Sequence, residues 1–269
     1  MSDSLFVADG DLFVPTEHTR GPWDPRSQHG GAPAALLARC IEQVDASLPH
    51  GVEMDTARMT VELMRPVPVD APVRVQTRLV RPGRKVQLVE AVMAQRDGTE
   101  LCRAVALRIR HAEIAPPYAG YDALPPPPPP ETGELQLGVG GEKAFAVTGV
   151  ELRFVRGVFM QPGPATVWIR LRMPVLPGET PSGMQRACAA GDFGNGVSSV
   201  HEWGRTVFIN PDLTVYLSRR PVGEWICIDS VTHPGPHGRA LAESQLFDLD
   251  GVVGRSMQAL LVEPIFPAR

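Results

Sequence analysis

His29-Gly30-Gly31 stands directly before Ala32-Pro33-Ala34-Ala35-Leu36-Leu37, a run that reads as the opening of a buried helix. The first N–H groups of a helix lack intrahelical acceptors and lie at the positive end of its dipole. Glycine there lets a ligand approach the backbone closely. Such an end can hold a carbonyl oxygen that turns negative during a reaction, where one good donor lowers the barrier by about 3 kcal/mol. The plainer alternative is a helix entry whose glycines make a tight turn and whose His29 fixes it.

A second set of polar residues interrupts apolar strands. Asp212 opens a run containing Leu213, Val215 and Leu217, and Gln258 sits among Met257, Ala259, Leu260 and Leu261. Thr232 ends a third such run, with Ser230 two residues before it on the same strand face. An unpaired buried polar group costs roughly 1–3 kcal/mol, so these side chains need partners or water. In one arrangement they face each other around a single water. In the other, Asp212 is a turn residue after Pro211 and Gln258 points to solvent.

Other chemistry lacks its residues. The chain has no Gly-x-Ser-x-Gly elbow, Walker loop, dinucleotide fingerprint or His-Glu-x-x-His, so neither cofactor nor metal is expected. Cys40, Cys102, Cys188 and Cys227 are too scattered for a zinc site and read as buried, reduced thiols of a cytoplasmic protein. A formal net charge of −4 argues against a nucleic-acid partner. Neither a signal peptide nor an apolar run of bilayer length is present, so no membrane insertion is expected.

The elements that must position these residues come twice. Thr60-Val61-Glu62-Leu63, Pro82-Gly83 and Asp97-Gly98 recur as Thr214-Val215-Tyr216-Leu217, Pro234-Gly235 and Asp250-Gly251, at offsets of 154, 152 and 153 residues. That is far beyond the 20–50 residues of a solenoid repeat and reads as one domain used twice. We expect domains at 1–118 and 141–269, joined by a proline-rich linker at 119–140. Pro125 to Pro130 would form a stiff spacer of roughly 19 Å at about 3.1 Å per residue.

In the first copy the patterns predict a hairpin at 5–14, a helix over 32–47 and strands near 57–64, 73–80, 85–95 and 101–110. The second copy has strands near 147–159 and 166–173, and a weaker helix over 183–193 broken by glycines. Four more strands follow, near 212–218, 224–231, 238–247 and 254–262. Strands in series without intervening helices make an α+β fold with antiparallel sheet.

These motifs in this order resemble the acyl-CoA thioesterase II-like family: Gln28-His29-Gly30-Gly31, Arg65-Pro66, Asn210-Pro211-Asp212 through Arg219, and Asp250-Gly251 through Gln258. The resemblance implies a double hotdog, two antiparallel sheets each wrapped around a central helix. It also implies an enzyme of lipid metabolism that hydrolyses a fatty or other acyl-CoA to free acid and coenzyme A. An Asp, a Ser or Thr and a Gln hold the attacking water in that family, and position by position these become Asp212, Thr232 and Gln258. Gly30 and Gly31 would polarise the carbonyl, with His29 in support. The acyl chain would lie between helix and sheet, near Met59, Met64 or Met184.

Arg81, Arg84, Lys85, Arg219 and Arg220 are candidates for the CoA phosphates by type and loop position. Open sheet edges invite a homo-oligomer. The rival readings are a hotdog enoyl-CoA hydratase, which would need a His–Asp pair beside the helix, and a non-enzymatic acyl-CoA or lipid carrier.

Overall fold

Along residues 86–94 every second side chain, from Gln87 through Val89 and Ala91 to Met93, is buried, the period-two pattern of a strand with one face on a core. The same logic sets most elements of the computed structural model, which describes residues 3–45, 48, 52–112, 114 and 124–265. The first half comprises β1 (Phe6–Asp9), β2 (Leu12–Pro15), α1 (Gly31–Glu42), β3 (Met54–Leu63), β4 (Val73–Arg81), β5 (Val86–Ala94) and β6 (Glu100–Arg110). The second comprises β7 (Glu134–Gln136), β8 (Val150–Arg156), β9 (Ala165–Leu171), α2 (Gly183–Gly191), α3 (Gly194–Val197) and β10 (Thr206–Ile209). It ends with β11 (Asp212–Leu217), β12 (Trp225–Pro234), β13 (Arg239–Asp248) and β14 (Gly251–Pro264).

The two separate sheets expected from the sequence are one. Among the described residues fourteen strands run in the order β1-β2-β4-β5-β6-β3-β11-β14-β13-β12-β9-β8-β7, with β10 alongside β14. All the pairings are antiparallel. The join is β3 on β11, the corresponding strands of the two copies. Thr60 lies opposite Thr214, with Arg58 opposite Tyr216 and Glu62 opposite Asp212. The two threonine hydroxyls are 3.2 Å apart. Partners exchange places about that pair, as a two-fold relation between copies demands. The union satisfies two strand edges that would otherwise stay open.

Helix α1 packs on β3, β4, β5 and β6, α2 on β9, β11, β12 and β13, and the helices pack on each other. The predicted first helix continued to Ser47; α1 ends at Glu42, and residues 46 and 47 lie outside the described ones. Buried Arg108 of β6 explains the stop, because its guanidinium donates to the carbonyls of Ile41 and Val44. Those are groups a helix end leaves unpaired. Of the proline-led segment, residues 115–123 lie outside the described ones. Its far end is docked on the second half: the Pro128 carbonyl accepts from Trp168 Nε1 at 2.7 Å, and β7 pairs with β8. All four cysteines are buried and free. Among the described residues no helix is long and apolar enough to cross a membrane.

Candidate active site

The two helices lie side by side in opposite senses. The start of α1 lies against the finish of α2 so closely that a Cβ on Gly31 would stand 2.7 Å from the Ala189 carbonyl oxygen. A Cβ on Gly30 would stand 2.8 Å from Asp192 Oδ2. Glycine is required at both places for that approach.

Asp192, one residue past α2, is the centre of a buried polar group. Its Oδ2 is 2.9 Å from His29 Nδ1. Its Oδ1 accepts from Asn210 Nδ2 at 2.8 Å, and Gln258 Nε2 lies 3.3 Å from the Asp192 carbonyl and 3.4 Å from Oδ1. Gln258 is itself 1% exposed and held at its other end, where Oε1 accepts from the Asn195 N–H at 3.0 Å. That bond needs Gly194, since a Cβ there would be 2.7 Å from Oε1.

The His29 ring packs against Phe145 and Phe193, with centroids 5.0 and 4.5 Å away, and those two rings also stack on each other at 5.8 Å. Its Nδ1 is also 3.1 Å from the Gly31 N–H. One nitrogen cannot accept from that N–H and donate to a carboxylate. Asp192, surrounded by amide donors, fits its ionised form, which places the proton on Nδ1 and a lone pair on Nε2. His29, Gly30, Asp192 and Asn210 line a cavity of about 380 Å³ whose walls come from both halves.

Residues 19–109 match the model of the acyl-CoA thioesterase N-terminal domain, and residues 121–262 that of the acyl-CoA thioesterase C-terminal domain. The chain belongs to the acyl-CoA thioesterase family. No curated protein sequence matches it. A hot dog fold protein from Alicyclobacillus acidocaldarius gives a TM-score of 0.69 at 18% identity, over 98% of this chain and 96% of that one. The acyl-CoA thioesterase II TesB2 of Mycobacterium marinum gives 0.63 at 18% identity, over 100% and 97%. A provisionally assigned thioesterase II of Thermobifida fusca gives 0.70 at 17%, over 96% and 95%. These likenesses show that the family member at hand has the hotdog fold.

Within this thioesterase-family chain the residues singled out from sequence separate into two groups. His29 and Gly30 line the cavity, Gly31 lies behind them, and Gln258 reaches Asp192. Asp212 is elsewhere. Leu213 and Val215 of β11 point into the core, so Asp212 falls on the other face of the sheet, whereas Gln258 points inward. Its Oδ1 accepts from the Ala259 N–H at 2.7 Å. Partial burial pushes its carboxyl up, against that hydrogen bond.

Thr232 faces the core but bonds Ser198 Oγ at 2.8 Å, and Ser230 bonds Ser244 Oγ at 2.7 Å. Thr232 and Gln258 flank Ala242 of β13 from opposite sides. At two inter-strand spacings they are roughly 10 Å apart. The predicted trio is therefore not gathered.

Asp192 and Asn210 are the residues sequence reasoning passed over. The signal was Gly191-Asp192-Phe193-Gly194, where glycines counted as helix breakers are the points of close approach to Ser256 and Gln258. Among the basic candidates, Arg219 is bound to Asp248 and Arg220 to Glu53 and Asp55. Arg65 is the basic residue that lines the cavity.

Proposed function

We propose that the protein hydrolyses an acyl-CoA thioester, with the His29–Asp192 pair as its proton acceptor. The observation that carries this reading is the 2.9 Å contact between His29 Nδ1 and a carboxylate already anchored by Asn210 and Gln258. Asp192 Oδ1 accepts from two side-chain amides and Oδ2 meets His29 Nδ1, and we assign the proton-accepting lone pair to His29 Nε2. A water in the cavity gives its proton to Nε2 and attacks the thioester carbon, while Asp192 stabilises the imidazolium. The oxygen that becomes negative is held by the Gly30 N–H at the positive end of α1.

Collapse of the tetrahedral species breaks the C–S bond. The imidazolium returns its proton to the departing thiolate, and the free acid and coenzyme A are the products. A thiolate leaves readily, so this last transfer needs no strong acid. Arg65, at the cavity, is the residue we assign to the CoA phosphates.

The same His–Asp pair supports a second reading. A His–Asp pair beside the helix suits hydration of an enoyl thioester. Incubation with saturated and enoyl-CoA substrates separates the two, reading free thiol and product mass together. Thiol and free acid from saturated substrates are expected. Enoyl substrate gaining water with no thiol set free would replace the first reading by the second, and the absence of both reactions would end both.

A further inference from the structure

Resting on the hydrolase reading above, the geometry points to an acyl group that is compact and carries a flat ring, aryl or aryl-alkyl, in preference to a long saturated chain. A long chain would need the space between helices and sheet, and that space is filled. Leu36, Leu37, Met59 and Val61 are 0% exposed. The sulfurs of Met59 and Met184, the flexible side chains best able to reshape a tunnel, pack 3.7 and 3.6 Å from Cys188 Sγ. Of the three methionines expected beside the acyl chain, Met64 lines the cavity and the other two belong to the core. At about 380 Å³ the cavity lies near the lower end of the usual range of roughly 300–1,000 Å³ for ligand sites.

Its walls are aromatic instead. Phe193, beside His29, begins a series that continues with Phe159, Trp23 and Trp203. Two of the four tryptophans in the chain therefore stand here. Trp23 from the first half stacks on Trp203 from the second, with centroids 5.0 Å apart and planes 11° from parallel. Each also meets Phe208 edge-on, at 4.9 Å. Rings braced in this way have few rotamers and cannot adapt to a flexible chain, but they offer faces and edges to another ring.

The test uses the full chain and two measurements. In the first, kcat/KM is compared for phenylacetyl-CoA and palmitoyl-CoA, in wild type and in Trp203→Leu and Trp23→Leu. The ring substrate should be favoured at least tenfold, and either variant should shrink that ratio at least threefold. In the second, phenylacetate and palmitate are titrated against wild type by tryptophan fluorescence, which requires no turnover. Equal or better use of palmitoyl-CoA, or an unchanged ratio in both folded variants, overturns the inference. So does tighter binding of palmitate. If no substrate releases thiol while phenylacetate still binds more tightly, the hydrolase reading fails and the assignment of the pocket stands.

Discussion

Asp192→Asn isolates the proposed chemistry, because it changes almost nothing else. Asparagine has nearly the shape of aspartate, and its amide oxygen can take the place of Oδ1, accepting from Asn210 at 2.8 Å and from Gln258 at 3.4 Å. Its amide nitrogen then lies where Oδ2 was, 2.9 Å from His29 Nδ1. Two donors cannot face each other, so Nδ1 must become the acceptor and the ring proton must move to Nε2. The lone pair that should take the proton from water is then gone. In a serine protease the equivalent change of aspartate to asparagine lowers kcat about 10⁴-fold by forcing the wrong tautomer. Here water rather than a side chain is the nucleophile, and we expect a loss of about 10²–10⁴-fold, or roughly 3–5 kcal/mol of barrier at 1.36 kcal/mol per tenfold. The assay is thiol release from the best substrate under kcat conditions, with Tm as the check on folding. Asp212→Asn is the contrast: its carboxylate faces away from Gln258, and activity should stay within about threefold. Full activity in Asp192→Asn, or a hundredfold loss in a folded Asp212→Asn, would overturn the assignment of the proton acceptor.

Gly30→Ala tests the close approach of helix and carboxylate. The backbone there, at φ −57°, suits alanine, but the new Cβ would lie 2.8 Å from Asp192 Oδ2 and 2.9 Å from Leu63 Cδ1; we expect kcat/KM to fall at least tenfold in steady-state kinetics. Glu42→Gln should leave Tm at pH 7 unchanged or higher. Burial pushes the Glu42 carboxyl up, against hydrogen bonds from Gln185 and Ser182, so what this group adds to stability is complete below its unfolded value and fades as pH rises through the folded one; melting curves at pH 4 to 8 should show that decline in wild type and less of it in the variant. Asp248→Asn should cost about 1–3 kcal/mol in urea unfolding at pH 7. Burial alone would raise the Asp248 carboxyl, but Arg219 and the N–H groups of Val222 and Asp250 outweigh it and hold it below its ordinary value, so its stabilisation is present above the unfolded value and is lost as pH falls through the folded one, and the variant should unfold less steeply in acid.

Much of the fold was legible because its strands alternate and its turns carry Pro-Gly or Asp-Gly. β11 shows how far that reaches: it begins at Asp212 as expected, and the repeated Thr60 and Thr214 meet at the centre of the join. What sequence could not show is that these two edges pair with each other, since pairing between copies leaves no trace in either pattern alone. β10 was missed because its four residues, Thr206–Ile209, are too short to show a period.

The site was legible at His29, Gly30 and Gln258, where polar or glycine residues break an apolar pattern. Asp212 lies on the sheet face opposite Gln258 for a physical reason. Leu213, Val215 and Leu217 alternate as one face of the strand, and Asp212, one position out of step with them, belongs to the other. Asp192 stands outside any periodic pattern, at a helix end, where side-chain direction follows from how two helices cross.

The antiparallel helix pair has two ends, and the side chains gathered at them differ. At one, Asp192 meets the start of α1 across glycines, and a cavity opens beside it. At the other, Glu42 of α1 meets the start of α2. Its carboxylate accepts from Ser182 Oγ at 2.7 Å and from Gln185 Nε2 at 2.8 Å, while Ser182 also caps α2 by accepting from the Gln185 N–H. Arg39 binds Glu179 alongside, and Arg108 closes the end of α1. The groups named there bond one another, and none of them lines the cavity. At the first, His29 and Asp192 face the cavity, which gives the proposed chemistry its room, whereas at the second a similar carboxylate contact ties the two helices together.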